Sequence, residues 1–143
     1  VTREQVRTDD PSKSNTDYRG NGESILVVDD MEEQREIACQ MLTQLGYRVT
    51  AVASGEEALA YFQENKADLL ILDMIMDPGI DGLETYKRIL QIHPSQRAII
   101  VSGFFETKRV EEAERLGIGS YVLKPYDLEK LGLGVKAELS RRQ

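Results

Sequence analysis

One cysteine, Cys39, is the only thiol in the sequence. A single thiol closes no disulfide within the chain and builds no thiolate cage for zinc. Long apolar runs are missing too. None approaches the ~20 residues of a membrane-spanning helix, and Leu69 to Leu72 is typical of those present. No secretory apolar segment opens the chain, so the expected compartment is the cytosol. Basic charge is in short supply: 18 Lys and Arg stand against 25 Asp and Glu, a formal net charge of −7. Nucleic-acid phosphates need a basic face, so no nucleic-acid partner is expected, and no membrane contact.

What is present suits one folded domain. The 143 residues are 41% hydrophobic and 30% charged, enough to bury a core. Residues 1–22 differ from the rest. From Thr8 to Gly22 the chain is rich in Asp, Ser, Asn and Gly and nearly free of apolar residues. Such a segment cannot offset the entropy of ordering itself, so residues 1–22 are expected to be a disordered linker or tail before a domain over 23–143. The linker's four basic and four acidic residues cancel, which leaves the −7 to the domain.

From Ser24 onward the pattern alternates. Ile25 to Val28 is a short apolar run ending in Asp29-Asp30, a buried strand. Ile37, Met41 and Leu45 recur four apart as the inward face of a helix closed by Gly46. Tyr47 to Val52 reads as a second strand. Ser54-Gly-Glu-Glu57 is a capping box opening a helix that turns Leu59 and Phe62 inward. Asp68 to Asp73 is a third strand, and a Gly/Pro/Asp loop leads from it to a helix with Leu83, Tyr86 and Leu90. Ala98 to Ser102 is the fourth strand. A helix follows with Val110, Ala113 and Leu116, closed by Gly117. Ser120 to Leu123 is the fifth strand, and a helix from about Asp127 ends the pattern, weakened by Gly132 and Gly134. His93, before Pro94, suits a helix C-terminus. Cys39 suits a small core position.

Strands and helices in strict alternation predict an α/β fold, a parallel sheet with helices on both faces. Ligands of such sheets bind at the carboxyl ends of the strands. There the first strand carries Asp29 and Asp30, the third Asp73, the fourth Ser102 and the fifth Lys124; the second, expected at an edge, carries none. Three carboxylates brought together repel unless a cation joins them. Mg²⁺ suits the site because it prefers oxygen ligands and keeps several waters. A nearby lysine completes a phosphoryl site, with Asp73 as the best nucleophile. The bland alternatives are an N-cap for Asp29 and Asp30, a turn for Asp73, an N-cap for Ser102 and a surface position for Lys124.

The motifs ILVVDD (Ile25–Asp30), LLILDMIM (Leu69–Met76), DG (Asp81-Gly82), IIVSG (Ile99–Gly103) and YVLKP (Tyr121–Pro125), in this order, resemble the receiver domain of two-component response regulators. The resemblance implies a flavodoxin-like three-layer (βα)5 fold with strand order 2-1-3-4-5. It implies that Asp73 accepts the phosphoryl group from a kinase phosphohistidine. It implies that Asp29, Asp30, Asp73 and the Ile75 carbonyl hold Mg²⁺, and that Lys124 contacts the phosphoryl group. Ser102 and Tyr121 match the switch pair, and Lys124-Pro125 the family's cis-proline. The partners implied are a sensor histidine kinase, a histidine phosphotransfer protein and a second copy through the fourth and fifth helices. The start at Val1 and the polar tail suggest the receiver of a hybrid sensor kinase. Two departures stand out. The loop Asp77–Gly82 is one residue longer than the usual pattern, and Ile75 and Phe104 are apolar where side chains can orient a hydrolytic water. Two other readings compete: an aspartate-nucleophile phosphatase of the haloacid dehalogenase type, and a receiver-like interaction module that is never phosphorylated.

Overall fold

A computed structural model describes residues 19–76, 79–103, 107–118 and 120–141. Five strands alternate with five helices: β1 (Ser24–Val28), α1 (Glu32–Gln44), β2 (Arg48–Val52), α2 (Gly55–Glu64), β3 (Leu69–Asp73), α3 (Gly82–Ile92), β4 (Ala98–Ser102), α4 (Thr107–Arg115), β5 (Ser120–Leu123) and α5 (Leu128–Ser140). All strand pairs are parallel, in the order β2-β1-β3-β4-β5, as expected. No helix among the described residues is long and apolar enough to cross a membrane.

The alternation of side chains along a strand splits the core in two. Leu26, Val28, Leu70, Leu72 and Ile100 face one side with Phe62 of α2, Tyr86 and Ile89 of α3 and Ala113 of α4. Ile25, Val27, Leu69, Ile71, Ile99 and Val101 face the other with Leu42 of α1 and Leu131 and Val135 of α5. Every residue of β3 and β4 is buried, which is why these strands read as continuous apolar runs.

The helix ends follow their local chemistry. Gly46 (φ 97°) and Gly117 (φ 102°) take the left-handed conformation beyond α1 and α4. In both, the residue after the glycine donates its N–H back into the helix, Tyr47 to Leu42 and Ile118 to Ala113. Ser54 caps α2 by accepting from Glu57 N–H, while the Glu57 carboxylate reaches one residue further back than a capping box requires, to Ala53 N–H. His93 is the C-cap of α3, its Nε2 3.1 Å from the Phe62 carbonyl oxygen.

Some inward faces need correction. In α1 the buried stripe is Ala38, Leu42 and Leu45; Ile37 is 42% exposed and Met41 only half-buried. Ala38 and Leu42 each lie one residue beyond the expected Ile37 and Met41, while Leu45 keeps its place. Leu59, Leu90, Val110 and Leu116 are half-buried, flanking the deeper Ala58, Ile89 and Ala113. Cys39 is also half-buried, with burial raising its thiol pKa. Gly134 is more than a weak point in α5: a Cβ there would lie 3.1 Å from Val122 Cγ2, so the glycine lets α5 approach β5.

Most of the linker reading, residues 1–18, lies outside the described residues, as do Asp77, Pro78, Phe104 and Phe105. Its described end lies against the fold. Gly20 N–H donates to the Leu45 carbonyl, Gly22 N–H to that of Gly46, and Lys136 Nζ to that of Arg19.

Candidate functional site

The strand registers assemble the site. Val28 pairs with Leu72, so Asp29 follows β1 where Asp73 ends β3. Asp73 pairs with Val101, which puts Ser102 one residue further along β4, and Ser102 pairs with Leu123, which puts Lys124 just beyond β5. Two backbone bonds fix the edge: Met74 N–H to Val101 O (2.9 Å) and Lys124 N–H to Ser102 O (2.7 Å). Asp29, Asp73 and Ser102 are buried polar residues at the ends of apolar strands. β2, the outer strand, contributes no side chain to this group, as its sequence implied.

Each of Asp29, Asp30 and Asp73 offers a carboxylate oxygen, and these oxygens lie within 4.8 Å of one another. Three hard oxygen donors in that space, two of them buried, suit a small divalent cation. Lys124 faces the group: its Nζ donates to Asp29 Oδ2 at 3.0 Å and lies 3.5 Å from Asp73 Oδ2. Burial pushes the Asp73 carboxyl up to about 6; Lys124 pulls it down and Asp29 adds to the rise. Asp73 Oδ1 lies 3.4 Å from Ile75 N–H.

The bland alternatives for Asp29 and Asp30, for Ser102 and for Lys124 do not match their positions. The N-cap of α1 is Met31, whose side chain makes no cap bond; neither Asp29 nor Asp30 fills that place. Ser102 lies within β4, several residues before α4. The Lys124 side chain is only 19% exposed. Lys124-Pro125 is cis, as the resemblance implied.

Tyr121 is half-buried, its hydroxyl 3.3 Å from the Ile118 carbonyl and 3.4 Å from that of Val110. It lines a groove of about 380 Å³ with Leu123, Lys130 and Leu133. Ile75 is 57% exposed beside the carboxylates.

Three features of the site region escaped the sequence reading. Tyr126, just past the cis-proline, is pushed up to about 12 by burial and by Asp29 and Asp73. Arg35 Nη1 donates to the Asp29 carbonyl at 2.9 Å. Arg109 on α4 pairs with Asp81, the N-cap of α3, at 2.5 Å. The last two join residues that no local pattern relates; Tyr126 follows a motif residue and was within reach.

Comparison with known proteins agrees with this geometry. The sequence profile of the response regulator receiver domain matches residues 25–136. Sporulation initiation phosphotransferase F of Bacillus subtilis is 33% identical over 117 residues, covering 82% of this chain and 94% of that protein. Chemotaxis protein CheY of Thermotoga maritima is 31% identical over 106 residues, covering 73% and 88%. Among solved structures, the CheX-CheY-BeF3-Mg+2 complex of Borrelia burgdorferi superposes with a TM-score of 0.79 at 25% identity, covering 85% of this chain and 92% of that one.

Proposed function

The chain belongs to the response regulator receiver family, whose members are phosphorylated on aspartate in two-component signalling, and from that premise we propose that Asp73 is its phosphoacceptor. The observation that carries the reading is the cluster of Asp29, Asp30 and Asp73 at one sheet edge, with Lys124 set across it.

The chemistry follows from the residues. An Asp73 carboxylate oxygen attacks the phosphorus of a phosphohistidine. A P–O bond forms, the P–N bond breaks, and its electron pair leaves with the imidazole. Asp73, with its pKa at about 6, is largely ionised at neutral pH and so available as a nucleophile. Asp29, Asp30, Asp73 and the Ile75 carbonyl would hold Mg²⁺, which when bound draws negative charge from the phosphoryl oxygens. Lys124 supplies a second positive charge there, and the Ser102 hydroxyl donates to a phosphoryl oxygen. That bond draws Ser102 toward the site, and Tyr121 moves inward after it; phosphorylation thus shifts the population between two states.

The donor is a sensor histidine kinase. A histidine phosphotransfer protein is the next acceptor in a relay, and a second copy of this chain pairs through α4 and α5. The relatives named above are not hybrid kinases, and the suggestion of a hybrid-kinase parent gains no support from them. The phosphatase reading requires two aspartates with one residue between them after β1. Asp29 and Asp30 are instead adjacent, one buried and one exposed.

The test is phosphorylation by a small phosphodonor, with Mg²⁺ and with chelator. Modification that needs Mg²⁺ and is lost in Asp73→Ala is expected. Absence of modification in the wild type would defeat this reading in favour of a module that is never phosphorylated.

A further inference from the structure

The turn that presents Asp30 is built unusually. Helices that begin at a functional loop are ordinarily held by a capping side chain. Here the N-cap is Met31, which offers no such bond. Two other contacts do the holding. Asp29 Oδ1 accepts from Met31 N–H at 3.0 Å. Arg35, within the first turn and a half of α1, donates from Nη1 to the Asp29 carbonyl at 2.9 Å. Its own N–H closes on the Met31 carbonyl at 3.0 Å.

These contacts bracket Asp30. The peptide before it carries the Asp29 carbonyl, which Arg35 holds. The peptide after it carries the Met31 N–H, which Asp29 holds. Peptide planes are rigid, so fixing both neighbours fixes the two soft backbone angles of Asp30. Asp29 itself is tied to the sheet by its N–H on Val52 O at 3.2 Å.

We propose that Arg35 is a positioning residue of the acidic site: through the Asp29 carbonyl it holds the turn that brings the Asp30 carboxylate to those of Asp29 and Asp73. This rests on the reading of that cluster as a Mg²⁺ site. It runs against the first expectation from charge, since a guanidinium bonded to the Asp29 backbone adds positive charge beside the cluster and should weaken the binding of a cation. The two effects have opposite signs, so the role can be tested.

The experiment is calorimetric titration of wild type, Arg35→Ala and Asp30→Asn with Mg²⁺ and, separately, Ca²⁺, alongside thermal melts in chelator. Mg²⁺ demands near-ideal octahedral geometry, whereas Ca²⁺ tolerates a loose site. Loss of a residue that orients a ligand typically weakens metal binding by about tenfold or more. Arg35→Ala is expected to weaken Mg²⁺ by about that factor and Ca²⁺ by clearly less, with the melting temperature in chelator little changed. Mg²⁺ affinity that is unchanged or tighter, or an equal loss for both ions, overturns the proposal. Should the alanine variant not fold, the same comparison is made on Arg35→Lys, which keeps the charge and stem but not the guanidinium geometry. Wild-type Mg²⁺ binding that Asp30→Asn weakens keeps the site reading standing even if Arg35 fails. No Mg²⁺ binding by the wild type overturns both.

Discussion

Lys124 Nζ sits closer to Asp29 than to Asp73, 3.0 Å against 3.5 Å. The lysine that faces the phosphoacceptor is thus anchored on the neighbouring carboxylate, and one positive charge serves two buried negative ones. Removing one partner of a buried ion pair costs about 3–5 kcal/mol, because the charge left behind has no compensation. Lys124→Met is expected to lose stability of that order in chelator, by urea denaturation. Added Mg²⁺ should restore more stability to the variant than it adds to the wild type. Equal effects of Mg²⁺ on the two proteins would show that the lysine and the cation do not share these carboxylates.

The raised Asp73 carboxyl is a statement about stability. Its pKa is about 6 in the folded protein against an ordinary 3.8, so the folded state binds the proton more tightly than the unfolded one. Stability from this group is therefore greatest below about 3.8 and falls as pH rises toward about 6, above which the full penalty applies. Neutral Asp73→Asn escapes it. In chelator the variant should be more stable than wild type by about 3 kcal/mol at about pH 7, and the difference should shrink as pH falls toward 4. A difference that does not vary over that range would contradict the assignment.

Gly82 begins α3 with its N–H on the Met74 carbonyl, and a Cβ there would collide with the Asp73 carbonyl oxygen. Backbone is the obstacle, so relief requires the loop or the end of β3 to move. Gly82→Ala is expected to cost about 1–3 kcal/mol by chemical denaturation. A neutral effect would mean that the helix start yields without disturbing the strand end.

Ile75, apolar and exposed beside the carboxylates, gives a water no partner with which to orient for attack on the phosphoryl group. Aspartyl phosphate on this protein is expected to decay slowly without a phosphatase, and Ile75→Glu to decay faster. Loss of the modification within seconds in the wild type would exclude this.

The strands and the site's main residues were legible because both rest on short local signals. Apolar runs of three or four residues ending in Asp29, Asp73, Ser102 and Lys124 state the strand and its functional end together. Helix faces were less legible. In α1, Ala38 gives a weaker apolar signal than Ile37, yet it is Ala38 that packs against the sheet. Contacts across the fold were not legible at all. Arg109 meets Asp81 from 28 residues away, and the Arg35 bond, though it spans only six residues, runs to a backbone oxygen that no sequence pattern marks.

The central claim is that Asp73 takes the phosphoryl group. Its most direct test is to phosphorylate the wild type with a small phosphodonor and Mg²⁺, trap the acyl phosphate by borohydride reduction, and locate the modified residue by peptide mass spectrometry. Reduction at Asp73, absent from Asp73→Asn, is the predicted result. Modification at Asp29, Asp30 or elsewhere, or modification that persists in Asp73→Asn, would contradict it.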